Sequence, residues 1–252
     1  MRALETLVLI EKDLKMIKHT LALALTLTAV TLPSVASAAT LVQSVNTGQG
    51  ANNTTDPTWT VTTATGTAAA WIPTAVNAAW IGGTSNADKD PSVNVAKWIT
   101  PGQNGQANFA QNTNLTFQTI FTLPTFANFA TAMVSGRHWS DNGVVSILLN
   151  GAAFYTNPGS PTTVGNATTF NGAGTVFSKT GGFKAGANTL TFVVRNGPGT
   201  ATNGNPAGLL TIANVTAAVP EPGTWMLMLL GFGAIGFAMR SRTKTQVRFQ
   251  FA

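Results

Sequence analysis

Val144-Val145-Ser146-Ile147-Leu148-Leu149-Asn150-Gly151-Ala152-Ala153-Phe154-Tyr155 reads as a complete β-hairpin. Val145, Ile147 and Leu149 recur with the period of two that marks a strand with one buried face, and Asn-Gly follows at once. A two-residue loop that matches the twist of its strands needs positive φ at both central positions, which Asn-Gly reaches at least cost. The same period appears on either side. Leu115, Phe117, Thr119, Phe121 and Leu123 share one strand face, and Leu190, Phe192 and Val194 share another. Two short final strands are expected, at Gly208 to Ala213 and at Val215 to Ala218. Breaks fall at Pro124, Asn157-Pro158-Gly159, Gly181-Gly182, Gly186 and Asn196-Gly197-Pro198-Gly199. Many short strands separated by frequent turns predict an all-β domain, a β-sandwich of jelly-roll type.

Composition agrees. Residues 40–219 are dominated by Thr, Asn, Gly, Ala and Val and are poor in the Leu, Glu, Lys and Arg that build helices. The segment from Ala39 to Asn114 supplies the first strands and long connections of the same sandwich. Within it Ala69-Ala70-Trp71-Ile72 recurs as Ala78-Ala79-Trp80-Ile81, either two strands of similar role or a coincidence. The formal charge of +6 divides into +1 over residues 1–39, +2 over 40–219 and +3 over 220–252. The cations of the middle region are scattered and form no basic stripe, which argues against a nucleic-acid partner. Cysteine is absent, so the domain relies on packing alone.

The two ends are of another kind. Lys18-His19 precedes an apolar stretch from Leu21 to Leu32, and Ala36-Ser37-Ala38 offers the small residues that signal peptidase needs, with cleavage before Ala39. Residues 1–38 therefore read as a secretory signal peptide. Glu5, Glu11 and Asp13 are foreign to such a leader, which places the start of translation at Met16.

At the other end Val219-Pro220-Glu221-Pro222-Gly223-Thr224-Trp225 is followed by an apolar run from Met226 to Met239 and then by Arg240-Ser241-Arg242-Thr243-Lys244. No charge falls between Gly223 and Met239, so a single transmembrane helix is expected over about 223–239, with a Trp at one interface and arginines at the other. The basic residues would stay inside while the leader sends the preceding domain out. Pro220, Glu221 and Pro222, with Trp225, the apolar core and Arg240 and Arg242, resemble the PEP-CTERM sorting signal of exported bacterial proteins. The chain continues from Thr245 to Ala252, further than such tails usually do. The resemblance implies an inner-membrane anchor held by residues 219–252 until an exosortase, a membrane transpeptidase, removes it near the triplet. Those residues are then a substrate of another enzyme.

A second resemblance covers the middle of the chain. Ser135-Gly136-Arg137-His138-Trp139-Ser140-Asp141-Asn142, Leu149-Asn150-Gly151, Phe183-Lys184-Ala185-Gly186-Ala187-Asn188-Thr189-Leu190 and Asn205-Pro206-Ala207-Gly208-Leu209 are similar to blocks of the jelly-roll domain of many PEP-CTERM proteins. That domain is itself similar to galactose-binding-like sandwiches. The resemblance spans about Asn114 to Thr216, within an ectodomain of residues 39–218, and implies a fold more firmly than a ligand.

Catalytic inventory is thin. Between Thr40 and Val219 there is no glutamate, and the only histidine is His138. The aspartates are Asp56, Asp88, Asp90 and Asp141. Paired carboxyls for glycoside hydrolysis, a serine nucleophile elbow and a zinc ligand set are all missing as patterns, so no enzyme is expected. Two readings fit Arg137, Trp139, Asp141 and Asn142. They form a sugar-binding edge with the indole stacked on a pyranose, or Trp139 packs in the core while Asp141-Asn142-Gly143 turns. Trp59, Trp71, Trp80 and Trp98 face the same choice. Asn86-Ala87-Asp88-Lys89-Asp90 sets oxygens at alternate positions, a spacing that suits a structural calcium at Asp88 and Asp90, although the glycine and distal Glu of an EF-hand are absent.

The expected protein is thus exported and non-enzymatic, structural or adhesive at the cell surface or in an exopolysaccharide matrix of biofilm type. A carbohydrate-binding module with one defined site is the alternative. A membrane-anchored surface protein whose tail is never cut is the second.

Overall fold

The computed structural model describes residues 39–89, 95–157, 170–198, 205–219 and 222–240. Ala36, Ala38 and the rest of the expected leader lie outside the described residues, as do Asp90, Pro220, Glu221 and Arg242. Among the described residues ten strands form two antiparallel sheets: β1 (Ala39–Ser44), β2 (Thr54–Thr63), β3 (Gly66–Ile72), β4 (Thr113–Leu123), β5 (Asn128–Asp141), β6 (Gly143–Leu149), β7 (Ala152–Thr156), β8 (Thr175–Thr180), β9 (Gly186–Asn196) and β10 (Gly208–Val219). The smaller sheet has the order β1-β10-β5-β8, and the larger has the order β3-β2-β4-β9-β6-β7.

Alternation in β4 places Leu115, Phe117, Thr119, Phe121 and Leu123 inward, as the period demands. β9 pairs with β4 along its whole length and turns Leu190, Phe192 and Val194 to the same side. Opposite them, Val134 of β5, Phe177 of β8 and Leu209, Ala213, Val215 and Ala217 of β10 complete one core between the sheets. The strand periods, not any helix, therefore decide which side chains leave water.

Two strand expectations are corrected. In β6 Val144, not Val145, is buried with Ile147 and Leu149. A bulge against β9 between Val144 and Ser146 inserts one residue and flips the side chains before it to the other face. The two final strands are one: β10 runs unbroken past Asn214, which stands exposed on the outer face and makes no turn.

The hairpin turn has the geometry its residues require. Asn150 has φ 51° and Gly151 φ 81°, the positive pair of a type I′ turn. The Asn150 amide also donates to the Gly182 carbonyl at 2.9 Å, and its oxygen accepts from Thr189 N–H at 3.0 Å. Asn188, buried beside it, donates to the Lys184 and Gly186 carbonyls. Two blocks distant in sequence are in this way stitched into a single end of the sandwich.

After β10 the helix α1 (Pro222–Arg240) begins, with Pro222 at its first position, where a missing N–H costs nothing. Its 19 residues measure roughly 28 Å at about 1.5 Å each. Among the described residues no helix is long and apolar enough to cross a membrane. The helix expected over 223–239 is present within α1, without the apolar length that a membrane crossing is expected to have among the described residues. The described side chains from Met226 to Phe237, Leu227, Leu229, Leu230, Phe232 and Ile235 among them, are nonetheless exposed to solvent.

Candidate functional site

Strand β5 carries the residues singled out in the sequence, and alternation sends them to opposite faces. His138 points inward. Its ring lies 5.6 Å from Phe192, 6.0 Å from Tyr155 and 6.1 Å from Phe177, and neither ring nitrogen has a hydrogen-bond partner. Burial lowers its pKa from 6.5 to about 4, so at neutral pH it serves as an uncharged aromatic of the core.

Arg137, Trp139 and Asp141 face outward, onto the smaller sheet's outer surface. The half of that surface near Trp139 is covered. The long β3–β4 connection folds over it and buries Val76, Trp80, Ala96 and Trp98 against Trp139 and Leu210. Trp80 and Trp98 pack against each other with ring centroids 4.3 Å apart and planes tilted by 36°. Gly208 admits this arrangement, because a Cβ there would meet the Trp80 ring at 2.6 Å. Trp139 is only 6% exposed, and its indole N–H donates to the Gly172 carbonyl at 3.0 Å. It has no free face to offer a sugar ring. Trp59 is buried in the main core, whereas Trp71 is half-buried on β3. The twin tetrapeptides therefore do different work: the first is strand, the second is cover.

Asp141 lies beneath that cover. Its carboxylate accepts the Trp80 indole N–H at 2.7 Å. Burial raises its pKa from 3.8 to about 7, against the smaller opposing pull of the Trp80 bond. Asn142 turns its oxygen to the Gly197 N–H. Of the four expected sugar contacts Trp139 and Asp141 are buried, Asn142 is half-buried, and Arg137 alone is fully open. It donates to the Ala173 carbonyl at 2.6 Å and borders a shallow groove lined by Ser135, Val176, Ser178 and Ile212.

Of the expected calcium loop, Asn86 and Asp88 serve the same cover, while Asp90 lies outside the described residues. Asn86 donates to the Pro73 and Trp98 carbonyls and accepts from Trp98 N–H at 2.9 Å. Asp88 accepts from Ala96 N–H at 2.7 Å. Asp56, which no sequence pattern singled out, accepts from the N–H groups of Gly48, Thr58 and Trp59 and ties the entry of β2. Among the described residues no group of three or more His, Cys, Asp or Glu side chains is placed to hold a metal.

The remaining candidate is the exit of the chain. β10 ends at Val219, paired with Ala39 of β1, and α1 opens at Pro222. Across this junction residues 218–242 match the family described as the PEP-CTERM protein-sorting motif. The motif indicates an exported protein, sorted to the surface by exosortase-type machinery. No curated protein matches the chain.

Proposed function

We propose that this chain is a non-enzymatic surface or matrix protein whose sandwich is cargo and whose two ends are addresses. Residues 1–38, read from Met16, act as a leader cut by signal peptidase before Ala39. Residues 219–252 hold the exported chain at the inner membrane until an exosortase-type transpeptidase cuts near Pro220-Glu221-Pro222. The sandwich, taken as a jelly roll similar to galactose-binding-like domains, then serves a structural or adhesive role with exopolysaccharide. The observation that carries this reading is the junction: the sorting motif starts where the last strand stops, with an exposed apolar helix directly behind it. A core position for His138 supports the non-enzymatic part, since a base in that place reaches no substrate.

The test follows protein mass and location in cells with and without the sorting enzyme. A shortened, released form present only with the enzyme is the expected result. The same full-length form in both strains would leave a surface protein with an uncut tail.

The groove beside Arg137 favours a second reading, a module with one defined sugar site. Saturable binding of one glycan, lost in Arg137→Ala with the melting curve unchanged, would select it. Trp139→Ala is the poorer probe, because that indole is part of the packing.

A further inference from the structure

The end of the sandwich from which the tail leaves is defined by strand register. Ala39 pairs with Val219, Ala218 with Asn128, and Leu123 with Gly186. The same end therefore collects the β4–β5 turn at 124–127, the Asn150-Gly151 turn and the β8–β9 loop at 181–185, joined by the Asn150 bond to Gly182. Asp141 and its cover lie at the opposite end, with Gly208 as the partner of Asp141. Only three Cα–Cα steps separate Val219 from Pro222, a reach of at most about 11 Å. Whatever receives the start of α1 must therefore touch or nearly touch this end.

Its surface has a definite character. Phe126 is 60% exposed, in a turn closed by Ala127 N–H to the Pro124 carbonyl at 3.0 Å, with Ala127 packed into the core. Lys184 is exposed in the neighbouring loop, and the three loops contain no carboxylate. An aromatic ring on a firm turn beside a cation is the combination that suits the headgroup layer of an anionic bilayer.

We propose that this end of the sandwich is a membrane-contacting surface, with Phe126 seated in the interface and Lys184 over lipid phosphates while the tail is attached. It rests on the membrane-holding role of the tail proposed above. The contact would fix the orientation of the domain and present the sorting triplet at the bilayer surface, where a membrane transpeptidase works.

The chain has no cysteine, so single-cysteine variants of the full-length protein can carry one environment-sensitive nitrobenzoxadiazole dye each. Three positions suffice: Phe126→Cys, Leu229→Cys in α1 and Thr65→Cys on the exposed β2–β3 turn. With phosphatidylglycerol-containing vesicles the dyes at 126 and 229 should shift to the blue and brighten, while the dye at 65 stays unchanged. Lys184→Glu, or a change to phosphatidylcholine vesicles, should weaken the signal at 126 and leave that at 229. High salt should do the same, since screening shortens to about 3 Å at 1 M. A shift at 229 without one at 126 overturns the surface and spares the tail. No shift at 229 overturns the tail's role and the surface with it. A shift at 126 without vesicles that grows with protein concentration assigns the surface to a second copy and overturns the membrane contact.

Discussion

Trp80→Ala destabilises the protein by about 4 kcal/mol, the usual cost of emptying a fully buried tryptophan site, with a loss of roughly 10 °C in Tm. Two further losses make this site more sensitive than its size suggests. The packing partner Trp98, 4.3 Å away, loses its neighbour, and the Asp141 carboxyl loses its indole donor. A buried acceptor left without its bond costs more than the bond itself contributed. Trp71→Ala is the matched control, in an identical tetrapeptide on a half-buried strand face. It should cost less than half as much by urea unfolding. Equal costs for the two would mean that the β3–β4 connection contributes no packing to the sheet beneath it.

The contrast between those tryptophans shows where a sequence stops being legible. Local periods were sufficient for β4 and β9, where strict alternation meets an unbroken ladder of partners. They were insufficient at β6, because a bulge is a property of the pair of strands, and Val144 carries no mark that the residue after it will be inserted. Asn214 looks like a turn residue and is only an outward position of a long strand. The cover over Trp139 was invisible for a deeper reason: it brings Val76, Trp80, Ala96 and Trp98 onto β5 and β10, strands formed much later in the chain, and no period encodes that meeting. Asn86 and Asp88 then appeared as alternating oxygens fit for a cation, although their oxygens answer backbone N–H groups of that same cover. The sorting motif was legible because it is read as linear sequence, by a partner that recognises order and composition.

His138 and Asp141 should cancel each other in the pH dependence of stability, and single substitutions should expose the hidden slopes. Burial moves the histidine down from 6.5 to about 4 and the aspartate up from 3.8 to about 7. Between pH 4 and 6.5 the unfolded chain holds a proton on His138 that the folded chain refuses. Over nearly the same range the folded chain holds a proton on Asp141 that the unfolded chain has released. The difference in bound protons from the pair is then close to zero, and so is its contribution to the slope. His138→Phe keeps a ring among Tyr155, Phe177 and Phe192 and leaves Asp141 uncompensated. Stability relative to wild type should then be greatest near pH 4 and fall by about 3 kcal/mol toward pH 6.5, at about 1.4 kcal/mol per unit. Asp141→Asn keeps an acceptor for Trp80 and leaves His138 alone, so stability should instead fall by a similar amount as pH drops from 6.5 to 4. Urea midpoints measured against wild type at each pH cancel the contributions of all other groups. Parallel curves for the three proteins would show that neither side chain is held in its buried, uncharged form.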